Sequence, residues 1–290
     1  MIRKQAGFTM TELLITMAIF VLALAAISNI FVPLLTQFKQ QSKIAETQIE
    51  GAVGLEILRR DLEQAGFGLP WVIPAGVSYQ EGSSSTTGTI PVPNDSAFND
   101  ATTNPPRPLA SGDNEAGLGG SDYLVIKATS VATNDAAMKW TEVVGTATGG
   151  STVTIWDSPT DDLAPSDRVI TIIPSRGGGN QRILVNNGSA FYDQFSASNG
   201  DPSAFPSAFA PTTAGDVYLV YGVDSSINLR MPFNRADYYI DRGATLPPRC
   251  AAGTGILTKS LISQATGNRG PAQWPTFLPC PKRRYCPILE

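Results

Sequence analysis

The chain has 290 residues, of which 42% are apolar and 16% charged, with 27 Gly, 22 Pro and a formal charge of −4 at pH 7. Such a composition is globular, leans toward strands and turns, and suits one large domain or two small ones. The acidic balance supplies no basic field for nucleic acid. The absence of His removes histidine triads, His–metal sites and histidine pH switching, leaving carboxylate, Ser–Lys and Cys chemistry open.

A short basic leader, Met1–Gly7 with Arg3 and Lys4, precedes 23 uncharged residues from Leu13 to Leu35. At about 1.5 Å per residue that run spans roughly 35 Å as a helix, enough for a bilayer core of about 30 Å. The basic flank stays cytoplasmic and the C-terminal body is sent across. An ordinary cleaved signal has a shorter apolar core; here the run continues well past Ala26. Glu12 stands at the very start of the apolar run, where a carboxylate is costly unless paired. The plain reading makes Glu12 a first-turn acid favoured by the helix N-terminus, with Thr11 as the cap.

Pro33 lacks an N–H, which predicts a kink at Asn29–Pro33 or a division into two helices. From Gln37 the pattern turns amphipathic: Ile49, Val53, Ile57, Leu58 and Leu62 recur at helical spacing, predicting an apolar stripe laid on a sheet. Asp61 reads as a solvated helix-face residue or a partner of Arg59 or Arg60. Gly66, Gly68 and Pro70 end the helix.

Residues 81–120 are rich in Ser, Thr, Gly, Pro and Asn and read as a long exposed loop. Strand patterns follow at Tyr123–Lys127, Thr141–Val144, Thr152–Trp156, Arg168–Ile173, Arg182–Val185, Asp216–Val223, Asp237–Ile240 and Gly255–Leu257, with Asn187-Gly188 as a hairpin turn. No helices alternate with them, so an antiparallel sheet is expected. Asp157, Asp161, Asp162 and Asp167 make an acidic loop whose spacing is not that of an EF-hand, and it reads as a solvated turn. Gly177-Gly178-Gly179 lacks the Lys-Ser/Thr of a phosphate loop. The tandem Pro202-Ser-Ala-Phe205 and Pro206-Ser-Ala-Phe209 is too short to be a solenoid. The three cysteines, Cys250, Cys280 and Cys286, suggest one disulfide in an oxidising compartment and one odd thiol.

The string KQAG-FTMTELLITMAIFVLALAA resembles the N-terminal signal of type IV prepilins and type II secretion pseudopilins: Gly7, Phe8, the hydroxyl of Thr9, Glu12 as fifth residue after Gly7, then the long apolar run. The resemblance implies cleavage by prepilin peptidase between Gly7 and Phe8, N-methylation of Phe8, and pairing of Glu12 with the Phe8 amine of a neighbouring subunit. It also implies an α+β fold, one long N-terminal helix packed on an antiparallel β body. The implied organisation is a leader at 1–7, a transmembrane and assembly half of the helix at 8–35, an amphipathic half at 36–68, and a periplasmic body at 69–290 with a flexible insertion at about 81–120. The stretch LEILRRDLEQAGFG resembles the helix end of PilW-like minor pilins and J-type pseudopilins, and the region around Cys250 and Cys280 resembles the end of the same branch, implying a Cys250–Cys280 disulfide with Cys286 as the competing partner. After Cys280 the basic, Pro-flanked terminus departs from that branch and reads as truncated or frame-shifted.

These features predict a structural subunit, a minor pilin priming or capping a type IV pilus, anchored in the inner membrane, with prepilin peptidase and other pilins as partners. The J-type pseudopilin and a filament-tip adhesin are the alternatives. No motif calls for a cofactor, metal or nucleic acid, and no nucleophile–base signature such as G-x-S-x-G marks an enzyme.

Overall fold

The computed structural model describes residues 9–83, 95–100, 102–115, 120–174, 181–198, 200–241 and 255–270. Two compact units divide the chain, Met1–Ala52 and Val53–Glu290. A single helix, α1 (Met10–Glu63), contains Pro33 without interruption, so the chain is not divided into two helices there. α1 ends where Gly66 and Gly68 take φ of 87° and 70°. There the Gly66 N–H turns to the Lys127 carbonyl at 2.9 Å. A Cβ on Gly68 would lie 2.4 Å from Thr129 Oγ1, so glycine allows the exit of the helix to press on the body.

Ten strands follow among the described residues: β1 (Leu109–Glu115), β2 (Ser121–Ala128), β3 (Trp140–Gly145), β4 (Ser151–Val153), β5 (Arg168–Ile173), β6 (Ile183–Leu184), β7 (Asp193–Gln194), β8 (Val217–Asp224), β9 (Asn234–Asp241) and β10 (Ile256–Leu261). They form a four-stranded sheet of order β1-β2-β9-β10 and a six-stranded sheet of order β4-β3-β8-β5-β6, with β7 also on β5. Every strand pair is antiparallel. The α+β layout expected from the pattern is therefore present, with the antiparallel body divided between two sheets.

Alternation places the two cores of the larger sheet. Ile170, Ile172, Tyr221 and Val223 join Leu69, Tyr79, Met231 and Phe233 in one cluster. Val143, Val169 and Val220 face Phe195, Phe205 and Phe209 in another. The tandem Pro-Ser-Ala-Phe thus seats both of its phenylalanines in a core. Asn187-Gly188 is a tight turn, with Asn187 and Ala190 exchanging backbone bonds of 2.9 and 3.0 Å. It does not join a hairpin, because β6 and β7 both pair with β5 and the turn is an excursion within one broken edge.

The smaller sheet carries buried ions on both faces, each beside apolar groups. Ile126, Ala128, Ala236 and Tyr238 meet Leu58 and Ala65 from the end of α1. On the opposite face Lys127 lies directly across from Arg235, and Val125 across from Asp237. Two cations facing each other across a ladder repel, and Glu81 offsets this from between them, 2.6 Å from Lys127 and 3.5 Å from Arg235. Lys127 is also 2.6 Å from Asp100, while Arg235 Nε donates to Asp237 at 2.7 Å. Phe98 stacks on Tyr123 at 4.7 Å. Of residues 81–120, read from composition as an exposed loop, 84–94, 101 and 116–119 lie outside the described residues, and the rest supply two acids with buried side chains, a core aromatic and edge strand β1. Glu81 and Asp100 serve a paired network, which composition does not reveal.

Burial raises Glu81 above the usual carboxylate range despite Lys127 beside it. Burial works the same way on Asp100, but its bonds from Lys127 and Arg107 outweigh it and hold that carboxyl low. Lys127→Met leaves both acids buried without their shared cation, and unfolding of the detergent-solubilised chain in urea should show a loss of about 3–5 kcal/mol, partly restored by adding Glu81→Gln and Asp100→Asn. Because the folded value of Asp100 is depressed, its contribution is present above about pH 4, its unfolded value, and is lost as pH falls through the lower folded value. The stability gap between the native chain and Asp100→Asn should therefore shrink as the titration is moved to acid. In β8, a Cβ on Gly222 would sit 2.2 Å from the Ala136 carbonyl oxygen; Gly222→Ala should cost about 1–3 kcal/mol, against about 0.5 or less for Gly150→Ala, in the same titration.

Candidate functional site

The N-terminal segment is built as a capped apolar rod. Thr9 is the cap: its Oγ1 accepts from Glu12 N at 3.3 Å, and Glu12 Oε2 accepts in return from Thr9 N at 3.4 Å and from Thr9 Oγ1 at 3.3 Å. This is the reciprocal pattern of a capping box, Thr-x-x-Glu. The cap is thus Thr9 and not Thr11, and the signal was legible as Thr9-Met10-Thr11-Glu12. The carboxylate sits in the first turn, where the helix dipole favours a negative charge.

Beyond the cap, Met10–Ser42 is long and apolar enough to cross a membrane, with a mean hydropathy of 2.5 and no part of its most apolar window buried. Phe20, Leu22 and Ile30 are 64%, 70% and 69% exposed. Two of its hydroxyls bond within the helix, Thr16 to the Leu13 carbonyl at 2.9 Å and Thr36 to the Val32 carbonyl at 3.0 Å, as suits a hydrocarbon medium. So much uncovered apolar surface is unstable in water, and the segment needs lipid or other helices around it.

At its other end, α1 is fastened by Asp61. This residue is buried, accepts from the Tyr238 hydroxyl at 2.6 Å, and lies 2.5 Å from Lys259 Nζ. Burial first, and Asp61 second, push the Tyr238 hydroxyl far above its ordinary value, so it stays protonated as a donor. The expectation of a solvated Asp61 is corrected: Arg59 pairs with Glu56 and Glu63 instead, and Arg60 reaches the Met138 sulfur. Asp61 falls between Leu58 and Ala65 on the packed face, a spacing that could have shown it. The predicted stripe is correspondingly narrower. Val53 and Leu62 are 51% and 40% exposed, and only the face through Leu58 and Ala65 meets the sheet.

Gly7 and Phe8, the expected cleavage pair, and Cys250 and Cys280, the expected disulfide, lie outside the described residues, as do Cys286 and Gly177–Gly179. In the acidic loop Asp157 and Asp161 are exposed, as a solvated turn requires, whereas the other two acids are engaged. Asp162 accepts the Trp156 N–H, and Asp167, buried, accepts that of Ala164. Among the described residues no group of three or more His, Cys, Asp or Glu could hold a metal.

Residues 2–28 match the model of the prokaryotic N-terminal methylation motif. The match runs through Glu12 and into the uncovered part of α1. Together with an apolar helix leading into an antiparallel body, it supports a type IV pilin-like or pseudopilin-like structural subunit anchored by its N-terminal helix. No curated protein and no solved structure matches the chain.

The fastening at Asp61 is separately testable. Lys259→Met strands a buried carboxylate and should cost about 3–5 kcal/mol in urea unfolding, whereas Lys259→Met combined with Asp61→Leu should recover most of it. A single variant as stable as the native chain would remove Asp61 from this role.

Proposed function

We propose that the chain is a minor pilin, made as a prepilin, cut by prepilin peptidase between Gly7 and Phe8, methylated on Phe8, and assembled through α1 with other pilins in the priming or tip complex of a type IV pilus. The observation that carries this reading is the register of the methylation motif with an apolar helix left uncovered over its whole span. The leader ends just before the cap, so cleavage places a new amine next to the first turn of α1. The inner membrane holds the helix before assembly and neighbouring pilin helices hold it afterwards, both being apolar surroundings. The positive flank at Arg3 and Lys4 directs the body to the periplasm, where Cys250 and Cys280 meet oxidising conditions.

In this reading Glu12 exchanges its bonds to Thr9 for the Phe8 amine of a neighbouring subunit. A lone carboxylate among apolar helices is costly, and an opposite charge beside it removes much of that cost. Subunits that slide out of register would leave both charges unpaired, so the pair sets the axial step between helices that otherwise pack through methyl groups. The size of the body, with the polar segment 81–120 included, favours the minor pilin over the J-type pseudopilin.

Mass spectrometry of protein from membrane and sheared-filament fractions should find a chain beginning at N-methylated Phe8; a start at Met1 or after Ala26 would overturn the reading. Glu12→Gln separates the two roles of Glu12, because a capping box accepts Gln as well as Glu. Processed Glu12→Gln protein should remain in the membrane fraction and be lost from filaments. Normal incorporation would reduce Glu12 to a cap.

A further inference from the structure

We propose that the cleft beside Arg107 binds an acidic saccharide, receiving the sugar carboxylate on the Arg107 guanidinium. The cleft has a volume of about 460 Å³ and is lined by Asn99, Asp100, Asn104, Pro105 and Arg107, a size suited to a small ligand. Arg107 is clamped twice by one carboxylate, its N–H on Asp100 Oδ2 at 2.9 Å and its Nε on Asp100 Oδ1 at 2.6 Å. Asp100 is in turn held from below by Lys127 at 2.6 Å, and Lys127 by Glu81 at 2.6 Å. Side-chain exposure rises along this line from 0% at Lys127 to 6% at Asp100 and 59% at Arg107.

With Nε engaged, Nη1 and Nη2 of Arg107 have no partner among the described residues. They form a planar pair of donors already held in place, the geometry that matches a carboxylate. Prior anchoring lowers the ordering cost of binding. Asn99 is part of the wall, since its amide already joins Gly82 and Arg235. Asn104 is different. Its carbonyl is fixed by the Tyr79 hydroxyl at 2.8 Å, while its side-chain amide has no partner among the described residues and offers both donors and an acceptor to hydroxyls. Pro105 supplies an apolar surface for a ring. Asp100 in the same wall disfavours a dianion such as phosphate. Amide, ring surface and guanidinium together fit a hydroxylated acid better than an acidic peptide.

The site is on the body and its occupation does not depend on processing or assembly, so it can be tested on the full chain in detergent micelles whichever N-terminus it carries. Saturation-transfer NMR with sodium glucuronate should show saturable binding, with glucose at least roughly tenfold weaker, a loss of about 1.4 kcal/mol or more. Arg107→Gln should weaken glucuronate by a similar factor while the chain still unfolds cooperatively, because Lys127 and the main-chain bond still hold Asp100. Arg107→Lys, a point charge without the fork, should restore only part of the binding. Equal binding of glucose, an unaffected Arg107→Gln, or an N-acetylaspartate amide that binds as tightly as glucuronate would overturn the proposal.

Discussion

Lys127, fully buried and shared between Glu81 and Asp100 at 2.6 Å each, decides how the polar segment before β1 lies on the smaller sheet. A buried ion pair adds little net stability compared with an apolar replacement of the same volume, yet losing one partner is severe. Its effect here is on specificity. Apolar side chains at 81, 100 and 127 would allow several seatings of the segment, whereas an ammonium with two acids in contact allows few. Asn99 and Phe98 are carried into place with it, one bonded to Arg235 and the other stacked on Tyr123. Arg107 is then oriented by the same acid that Lys127 holds.

Within α1, two surroundings are written into one continuous helix. From Leu13 to Leu35 apolar residues lie on all sides of the helix, a surface that suits lipid or other apolar helices. Over the last turns a single face, Leu58, Asp61 and Ala65, is packed against β9, β10 and their neighbours. Asp61 is polar on that face for a structural reason. Lys259 points to the same side as Tyr238, which pairs with it across the β9–β10 ladder, and an acid on the helix answers both. The outcome is a helix whose first part is apolar all round and whose last turns are fastened by charge and hydrogen bonds.

The apolar span, the helix stop and most strands were legible because each depends on neighbours in sequence: an uncharged run, Gly66 and Gly68 before Pro70, alternation in YLVIK and RVITII; the cap is equally local, yet two threonines compete for it and Thr9 caps in place of Thr11. Tyr123–Lys127 and Arg168–Ile173 lie within strands β2 and β5 for that reason. Glu81 and Asp100 were not legible, and Asp61 only through its spacing with Leu58 and Ala65. A charge on a helix or in a polar stretch is usually solvated, and what made these three buried is the arrival of Lys259 and Lys127 from strands distant in the chain. The hairpin expected at Asn187-Gly188 failed similarly. Local turn chemistry was correct, but β5 attracted both flanking segments.

By itself the sequence determined a basic flank, a Gly-Phe pair, an acid at the edge of an uncharged run and an apolar helix, since these are patterns of adjacent residues whose chemistry needs no partner to be read. It also determined an antiparallel β body, since period-two alternation and turns are local. Tertiary structure alone decided that the body divides into two sheets, that the polar segment is tied to one of them by buried ions, and that Arg107 is presented on a fixed base. Those outcomes depend on which charges meet across long separations, and burial makes such meetings decisive because an ion without its partner cannot stay inside.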